Sequence, residues 1–240
     1  MEKNKSKNQN STQNALMITP DLCIGCRACQ VACKEWNNLP SESSTNQGTY
    51  ENPPDLSGGL YNRIMFIEIP SQKGIRWVFS SQRCMHCTEA ACLKACPMTG
   101  AIYKSPEGAV LFNKEICTGN FKSDRRECAD ACPFKVVRFD KDGKISKCNF
   151  CYDRITEGLK PACAKTCPTG AIDYDARKTL IANANAQGFT TIYGEKELGG
   201  LNVLYALKES PTIYKLPEKP TIPENLSAYY SRRELFRLFT

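Results

Sequence analysis

The apolar residues of this chain occur in short runs, and two of them alternate loosely with polar residues, as β-strands do. Residues 63–69 and 75–80 are rich in Ile and Phe. Between them lies Ser71-Gln72-Lys73-Gly74, a sequence typical of a tight turn. This pattern predicts a β-hairpin.

The C-terminal third contains further short elements. Residues 176–187 predict a helix that ends before a glycine, and residues 190–193 and 201–207 predict two strands. Residues 211–223 contain four prolines, which favours an extended arm. The apolar positions of residues 229–240 fit a tail that frays or docks on a protein, or a helix on a membrane surface.

Two long segments are polar. Residues 1–14 contain almost nothing apolar, so we predict a disordered leader over residues 1–19. Residues 40–59 contain Asn52-Pro53-Pro54-Asp55 and Ser57-Gly58-Gly59, which are loop sequences. A loop this long indicates either a binding role or a simple surface insertion.

No apolar run approaches the roughly 20 residues that cross a bilayer, and the N-terminus lacks a signal-peptide core and an Arg-Arg pair. We therefore expect no export or anchoring signal in the chain itself. Both a cytoplasmic and a periplasmic location remain open, because a folded chain can be exported, or held at a membrane, through a partner.

The most informative pattern is formed by fifteen cysteines. They occur in four motifs, in which Cys-x2-Cys pairs and Cys-x3-Cys pairs recur, and three of the motifs end in Cys-Pro. The motifs are Cys23, Cys26, Cys29 and Cys33; Cys84, Cys87, Cys92 and Cys96; Cys117, Cys128 and Cys132; and Cys148, Cys151, Cys163 and Cys167.

Three kinds of structure could use so many cysteines. Disulfides suit short secreted chains, and an odd number would leave one thiol over. Zinc sites favour tetrahedral sets built from Cys-x2-Cys pairs. Iron–sulfur cubes use a triplet and a remote fourth cysteine that is often followed by proline. The spacing favours iron–sulfur clusters, with all fifteen cysteines as ligands.

The sequences around the motifs repeat as well. Residues 91–97 (ACLKACP) and 162–168 (ACAKTCP) both lead into Thr-Gly-Ala-Ile, and residues 127–134 are a looser copy. Each copy predicts a short helical turn followed by a strand. The predicted fold class is therefore α+β, with tandem two-cluster ferredoxin-like modules over residues 20–175.

Two segments interrupt or follow these modules. Residues 37–80, which contain the hairpin, form an insertion between the first and second motifs. Residues 176–240 contain no cysteine, and we expect them to form a C-terminal extension that docks on another subunit.

Other chemistry finds little support in the sequence. The formal net charge is +7, but the basic residues are scattered and no nucleic-acid-binding motif occurs. The single histidine, His86, cannot form a catalytic metal triad, so we expect either a hydrogen bond near a cluster or a structural role. No glycine-rich phosphate loop indicates a nucleotide. Because cysteine-bound clusters mostly transfer single electrons, we predict an electron conduit without catalysis of its own.

Four segments carry a family resemblance: residues 26–40 (CRACQVACKEWNNLP), 52–57 (NPPDLS), 160–170 (KPACAKTCPTG) and 199–205 (GGLNVLY). They resemble the iron–sulfur (beta) subunit of formate dehydrogenase, within the four-cluster iron–sulfur subunits of molybdenum- and tungsten-pterin oxidoreductases. The resemblance implies a pterin-containing catalytic partner and a cytochrome, quinone-linked or soluble acceptor.

The resemblance also implies how the cysteines are shared, because the first motif pairs with the fourth and the second with the third. The implied ligand sets are Cys23, Cys26, Cys29 and Cys167; Cys33, Cys148, Cys151 and Cys163; Cys84, Cys87, Cys92 and Cys132; and Cys96, Cys117 and Cys128.

The last set lacks a fourth cysteine, because Asn120 stands where a Cys-x2-Cys pair would place it. We therefore expect three [4Fe–4S] clusters and a fourth site that holds a [3Fe–4S] cluster or a [4Fe–4S] cluster with a non-cysteine ligand. An empty fourth site is the remaining alternative.

Two other functions remain open. The chain could serve a related pterin oxidoreductase that acts on an aldehyde, sulfoxide, thiosulfate or arsenate, or it could be a free polyferredoxin. The long segments without cysteine argue against a free carrier. A zinc-stabilised interaction module would lack the brown colour of cluster proteins.

Overall fold

The computed structural model describes residues 13–119 and 126–223. Its α-helices are α1 (Ala28–Trp36), α2 (Ala91–Ala95), α3 (Glu127–Asp130), α4 (Tyr152–Thr156), α5 (Ala162–Lys165) and α6 (Arg177–Ala186). Its β-strands are β1 (Asn14–Ile18), β2 (Asn62–Ser71), β3 (Gly74–Arg83), β4 (Ile102–Lys104), β5 (Val110–Phe112), β6 (Arg138–Phe139), β7 (Ile145–Ser146), β8 (Ile172–Ala176), β9 (Thr191–Tyr193) and β10 (Val203–Leu207). This mixture of helices and strands fits the predicted α+β class.

The predicted hairpin is confirmed and is longer than expected. Strands β2 and β3 pair in antiparallel register over ten residue pairs, from Asn62 opposite Arg83 to Ser71 opposite Gly74. The register leaves Gln72 and Lys73 as a two-residue turn. Strand β3 ends at Arg83, directly before Cys84 of the second motif.

The largest sheet among the described residues has four strands, in the order β8-β1-β10-β9. In its centre, β1 runs parallel to β10 and antiparallel to β8, so that Leu16 lies opposite both Val203 and Tyr174. Because side chains alternate along a strand, Leu16 and Ile18 face the main core. The intervening Ala15 and Met17 pack in a second core with residues of α6.

Strand β1 corrects the prediction of a disordered leader over residues 1–19. Residues 15–18 are at most 5% exposed. This short apolar run gives no local signal, because its partner strands come more than 150 residues later in the sequence. Residues 1–12 lie outside the described part of the chain.

The C-terminal segment is also more integrated than expected. The predicted helix and both predicted strands are confirmed as α6, β9 and β10. Strand β10 pairs with β1, so the boundary expected after residue 175 does not divide the fold. The predicted extended arm is wrong for Pro211–Tyr214, which forms a short 3-10 helix and buries Tyr214 against the main core. Residues 224–240, which include the predicted tail, lie outside the described part.

The long loop between α1 and β2 contains no helix or strand over residues 40–59, as predicted. Side chains hold it in place: Glu42 accepts a hydrogen bond from the amide of Gly59, and Glu51 forms an ion pair with Arg63 on β2. Among the described helices, none has the length and apolar character needed to cross a bilayer.

Candidate iron–sulfur centres

All fifteen cysteines lie in the described residues, and each is a free thiol. We name them by the ligand sets that the resemblance implies: site 1 (Cys23, Cys26, Cys29 and Cys167), site 2 (Cys33, Cys148, Cys151 and Cys163), site 3 (Cys84, Cys87, Cys92 and Cys132) and site 4 (Cys96, Cys117 and Cys128). Electrostatic interactions connect cysteines within these sites, for example Cys23 with Cys167 in site 1 and Cys128 with Cys96 and Cys117 in site 4. They also connect cysteines of neighbouring sites, so the grouping itself rests on the resemblance.

Site 1 is built on a tight loop that leads into α1. Gly25 has a φ of +68°, which suits a residue without a Cβ, and its N–H donates to the Cys23 sulfur. Burial raises the pKa of Cys23 above its usual value. Cys29 lies on the first turn of α1, and burial raises its pKa to about 11. Site 1 lies near the surface, since Cys26 is exposed.

Site 2 lies deeper in the protein. Cys33 follows Cys29 by one helical turn on α1, and both are buried. The other three members come from the fourth motif and reach site 2 through the short helices α4 and α5. Burial raises the pKa of Cys33 well above its usual value, and the neighbouring Cys148 and Cys163 thiols raise it further.

The loops that carry cysteines of sites 2 and 3 are in contact. The ring of His86, in the Cys84–Cys87 loop, lies 4.6 Å from the ring of Phe150, in the Cys148–Cys151 loop. Both residues are fully buried and have positive φ angles. This contact between equivalent loops places Cys84 of site 3 within electrostatic range of Cys148 of site 2.

Site 4 is assembled from the second and third motifs. Burial raises the pKa of Cys128 to about 12, and the neighbouring Cys96 and Cys117 thiols raise it further. The amide of Ile145 donates to the Cys117 sulfur over 3.3 Å. Asn120, at the position of the missing cysteine, lies outside the described residues.

Electrostatic interactions connect the sites in the order 1, 2, 3, 4. Cys29 of site 1 interacts with Cys163 of site 2, Cys148 of site 2 with Cys84 of site 3, and Cys92 of site 3 with Cys128 of site 4. Each site is therefore within electrostatic range of the next through a pair of cysteines.

Two buried cations accompany the thiols and were missed by the sequence analysis. Arg83 and Lys147 are 2% and 1% exposed, and no described carboxylate lies within ion-pair distance of either. Lys147 donates to the carbonyls of Val110 and Cys148. The sequence carried a signal, because each cation directly precedes the first cysteine of a Cys-x2-Cys pair.

His86, for which we expected a hydrogen bond near a cluster or a structural role, forms a hydrogen bond with the backbone. Its Nδ1 accepts a hydrogen bond of 2.9 Å from the amide of Val110, so the neutral ring carries its proton on Nε2. Burial, followed by the nearby Lys147 and Arg83 charges, lowers the pKa of His86 well below its usual value. Its Nε2 is buried without a hydrogen-bond partner among the described residues.

These donor sets fit iron–sulfur clusters. Each site offers at least three cysteine thiols, and thiolates are the ligands that such clusters use. Among the described residues, no three His, Cys, Asp or Glu side chains converge closely enough to hold a single metal ion. The unpaired cations complement a group that is anionic when bound to thiolates.

Comparison with known proteins agrees with this chemistry. Two models of a 4Fe–4S dicluster domain match residues 22–101 and 75–177. The nitrate-inducible formate dehydrogenase iron–sulfur subunit of Escherichia coli K12 is 38% identical over 90% of this chain and 76% of its own length. The formate dehydrogenase-O iron–sulfur subunit of the same organism is 39% identical over 88% of this chain and 73% of its own length.

A relative named for a different activity also matches. A sulfite dehydrogenase subunit of Allochromatium vinosum is 32% identical over 88% of this chain and 85% of its own length. The two Escherichia coli formate dehydrogenase subunits are more similar than this relative, and they match about nine tenths of the chain. The chain therefore belongs to the family of formate dehydrogenase iron–sulfur subunits.

Proposed function

We propose that this chain is the electron-transfer subunit of a formate dehydrogenase complex, in which it connects a molybdenum- or tungsten-pterin catalytic subunit to a downstream acceptor. When bound, iron–sulfur clusters supply one-electron oxidation and reduction. The observation that carries the proposal is the series of cysteine sites 1 to 4, each within electrostatic range of the next, in a chain of this family.

The four cysteine sites would hold clusters of two kinds. Sites 1, 2 and 3 each offer four cysteines and would each hold a [4Fe–4S] cluster. Site 4 offers three cysteines and would hold a [3Fe–4S] cluster or a [4Fe–4S] cluster with one non-cysteine ligand. The short helices and the hairpin bury most of the thiols, which limits the access of water to the clusters, and Cys26 of site 1 is the exposed exception among the fifteen.

Formate oxidation would belong to the catalytic partner. The downstream acceptor would be a cytochrome, a quinone-linked protein or a soluble carrier. Site 1 has an exposed edge formed by Cys26 and Ile24, the latter 61% exposed, through which electrons could enter or leave.

The complex purified anaerobically through a tag on this chain tests the proposal. We expect a pterin-containing large subunit to co-purify and the complex to reduce a dye with formate. This chain by itself should contain iron and acid-labile sulfide but should not oxidise formate. Iron-free protein, or formate oxidation by the isolated chain, would contradict the proposal.

A matched pair of variants tests the assignment of ligands. Cys167→Ala removes a ligand from site 1 without supplying an oxygen ligand, so site 1 should change from a [4Fe–4S] to a [3Fe–4S] cluster or lose its cluster, with a loss of one to four iron atoms. Lys165→Ala alters an exposed position two residues earlier in the same segment and should leave the iron content and the electron paramagnetic resonance spectrum unchanged. The same iron content and the same spectrum in both variants would contradict the assignment of Cys167 as a ligand.

The match to a sulfite dehydrogenase subunit favours a second candidate, in which the catalytic partner oxidises a sulfur compound. The same purification distinguishes the two. Dye reduction with sulfite and not with formate would assign the chain to the second function, while its role in electron transfer would be the same.

A further inference from the structure

Arg83 is a guanidinium buried beside the cysteine sulfurs. It ends strand β3 and is 2% exposed. Its Nε donates to the Ser81 hydroxyl over 2.9 Å, and its Nη1 lies 2.9 Å from the Cys163 sulfur of site 2. Its Nη2 is buried and has no hydrogen-bond partner among the described residues. The side chain therefore has donor capacity beyond what the protein uses.

The charge of Arg83 is surrounded by thiols. Cys163, Cys29 and Cys148 lie within electrostatic range, and none of the described carboxylates forms an ion pair with it. A buried arginine without an anion is costly. The thiolates and the cluster that they would hold are the anionic group that could balance Arg83, because its Nη1 lies 2.9 Å from the Cys163 sulfur.

The hairpin holds this group in position. Asn62 pairs with Arg83 across β2 and β3, and the Ser81 hydroxyl donates to Asn62 Oδ1 over 2.9 Å. Because Oδ1 of Asn62 is oriented toward Ser81, its amide nitrogen is oriented toward Cys29 of site 1. The end of the hairpin thus directs one donor toward site 1 and another toward site 2.

We propose that Arg83 is a positioning residue that raises the reduction potential of the cluster at site 2, by donating to its sulfurs and by placing a fixed positive charge beside it. The inference rests on the proposed function, because it requires clusters in the sites. One-electron reduction adds one negative charge and no proton, and a guanidinium that is protonated in both states stabilises that added charge.

The chemistry of arginine suits this task better than that of lysine. The planar guanidinium can donate to Ser81 and to Cys163 at the same time while a further N–H points elsewhere. A lysine ammonium would keep the charge but would concentrate it on one nitrogen. The charge and the number of donors can therefore be varied separately by substitution.

The test is a redox titration of the purified complex, with the reduced clusters followed by electron paramagnetic resonance. The variants are Arg83→Gln, which removes the charge, and Arg83→Lys, which retains it. Arg177→Gln is the matched control. Arg177 is also buried, at 4% exposure, but its guanidinium donates to the carbonyls of Gly194 and Glu195 and contacts no cysteine.

In Arg83→Gln we expect the equilibrium constant for reduction of one couple to fall at least tenfold, which corresponds to about 59 mV for a one-electron couple. A smaller shift should affect the couple of site 1, because Cys29 is also close to Arg83. Arg83→Lys should shift the same couple less, and Arg177→Gln should leave every couple at its wild-type potential.

Full iron content in Arg83→Gln with all couples unchanged, or a shift matched by Arg177→Gln, would overturn the inference. If Arg83→Gln fails to retain iron, Arg83→Lys carries the test, and an unchanged or higher potential in that variant overturns it. Iron-free wild-type protein would instead contradict the proposed function, since no couple would be observed.

Discussion

Gly25→Ala tests how the tight loop of site 1 depends on its glycine. Gly25 lies between Cys23 and Cys26 and has a φ of +68°. A Cβ added there would lie 2.9 Å from the ring of Phe79 and 3.1 Å from that of Phe66. Both contacts are shorter than side chains normally make, so a ring or the loop must move.

Gly170→Ala provides the matched control. Gly170 has a φ of +69° and lies three residues after Cys167 of the same site, but an added Cβ would meet nothing within 4 Å. The left-handed backbone costs an alanine roughly 1–2 kcal/mol at either position. The difference between the two variants therefore isolates the steric conflict with the two rings.

The size of this conflict depends on how freely the rings can move. Phe66 and Phe79 lie 4.9 Å apart and both pack edge-on against Trp77, while the Arg27 guanidinium lies 4.5 Å above the Phe66 ring. The group is partly exposed, with Trp77 43% accessible, so some relaxation is available. We therefore expect about 1–2 kcal/mol, from the lower part of the range for overpacking.

The assay is anaerobic transfer of iron from the purified complex to a chelator. If the strain is released when site 1 opens, a difference of 1–2 kcal/mol accelerates iron release by roughly 5–30-fold. We expect this faster phase in Gly25→Ala relative to Gly170→Ala, with an amplitude of one cluster. Equal release rates in the two variants would refute the steric argument, whatever their common difference from wild type.

Three further predictions concern how the elements are joined. Leu16→Ala, in β1, should lower the free energy of unfolding by about 3 kcal/mol, because Leu16 is 1% exposed in the main core; loss of hydrogen-exchange protection in β8 and β10 would show it. Tyr205→Phe removes the hydroxyl that donates to the Ser81 carbonyl and should cost about 1–2 kcal/mol, measured as a lower midpoint of denaturation with unchanged iron content. Trp36→Phe removes the 2.9 Å hydrogen bond to Asp153 at an exposed position and should cost less than about 1 kcal/mol by the same measurement; a larger loss would mean that α1 depends on this contact.

The elements that could be predicted are those with local signals. The hairpin has a turn sequence between two apolar runs, and α6 ends before Gly188, so each is visible within about twenty residues. Strand β1 has four consecutive apolar residues and no local pattern. Its position depends on pairing with β8 and β10, which no short window of sequence contains.

The same distinction applies to the candidate sites. The spacing of the cysteines indicated clusters, and the family resemblance implied their grouping. The burial of Arg83 and Lys147 could not be predicted, because a basic residue beside a cysteine is commonly exposed and only the fold shows that both are buried. Their repeated position before Cys84 and Cys148 acquires meaning once the equivalent loops are seen to meet through His86 and Phe150.

The segments outside the cysteine motifs contribute hydrogen bonds around the thiols, which a pair of ferredoxin modules alone would not contain. The hairpin places Arg83 and Asn62 between sites 1 and 2, and β10 places the Tyr205 hydroxyl against Ser81 at the base of the same network. The central sheet thus connects the two ends of the described chain to the hydrogen bonds that surround the thiols. In the proposed role of Arg83, these segments hold its Nη1 2.9 Å from the Cys163 sulfur, a contact that the cysteine spacing alone does not provide.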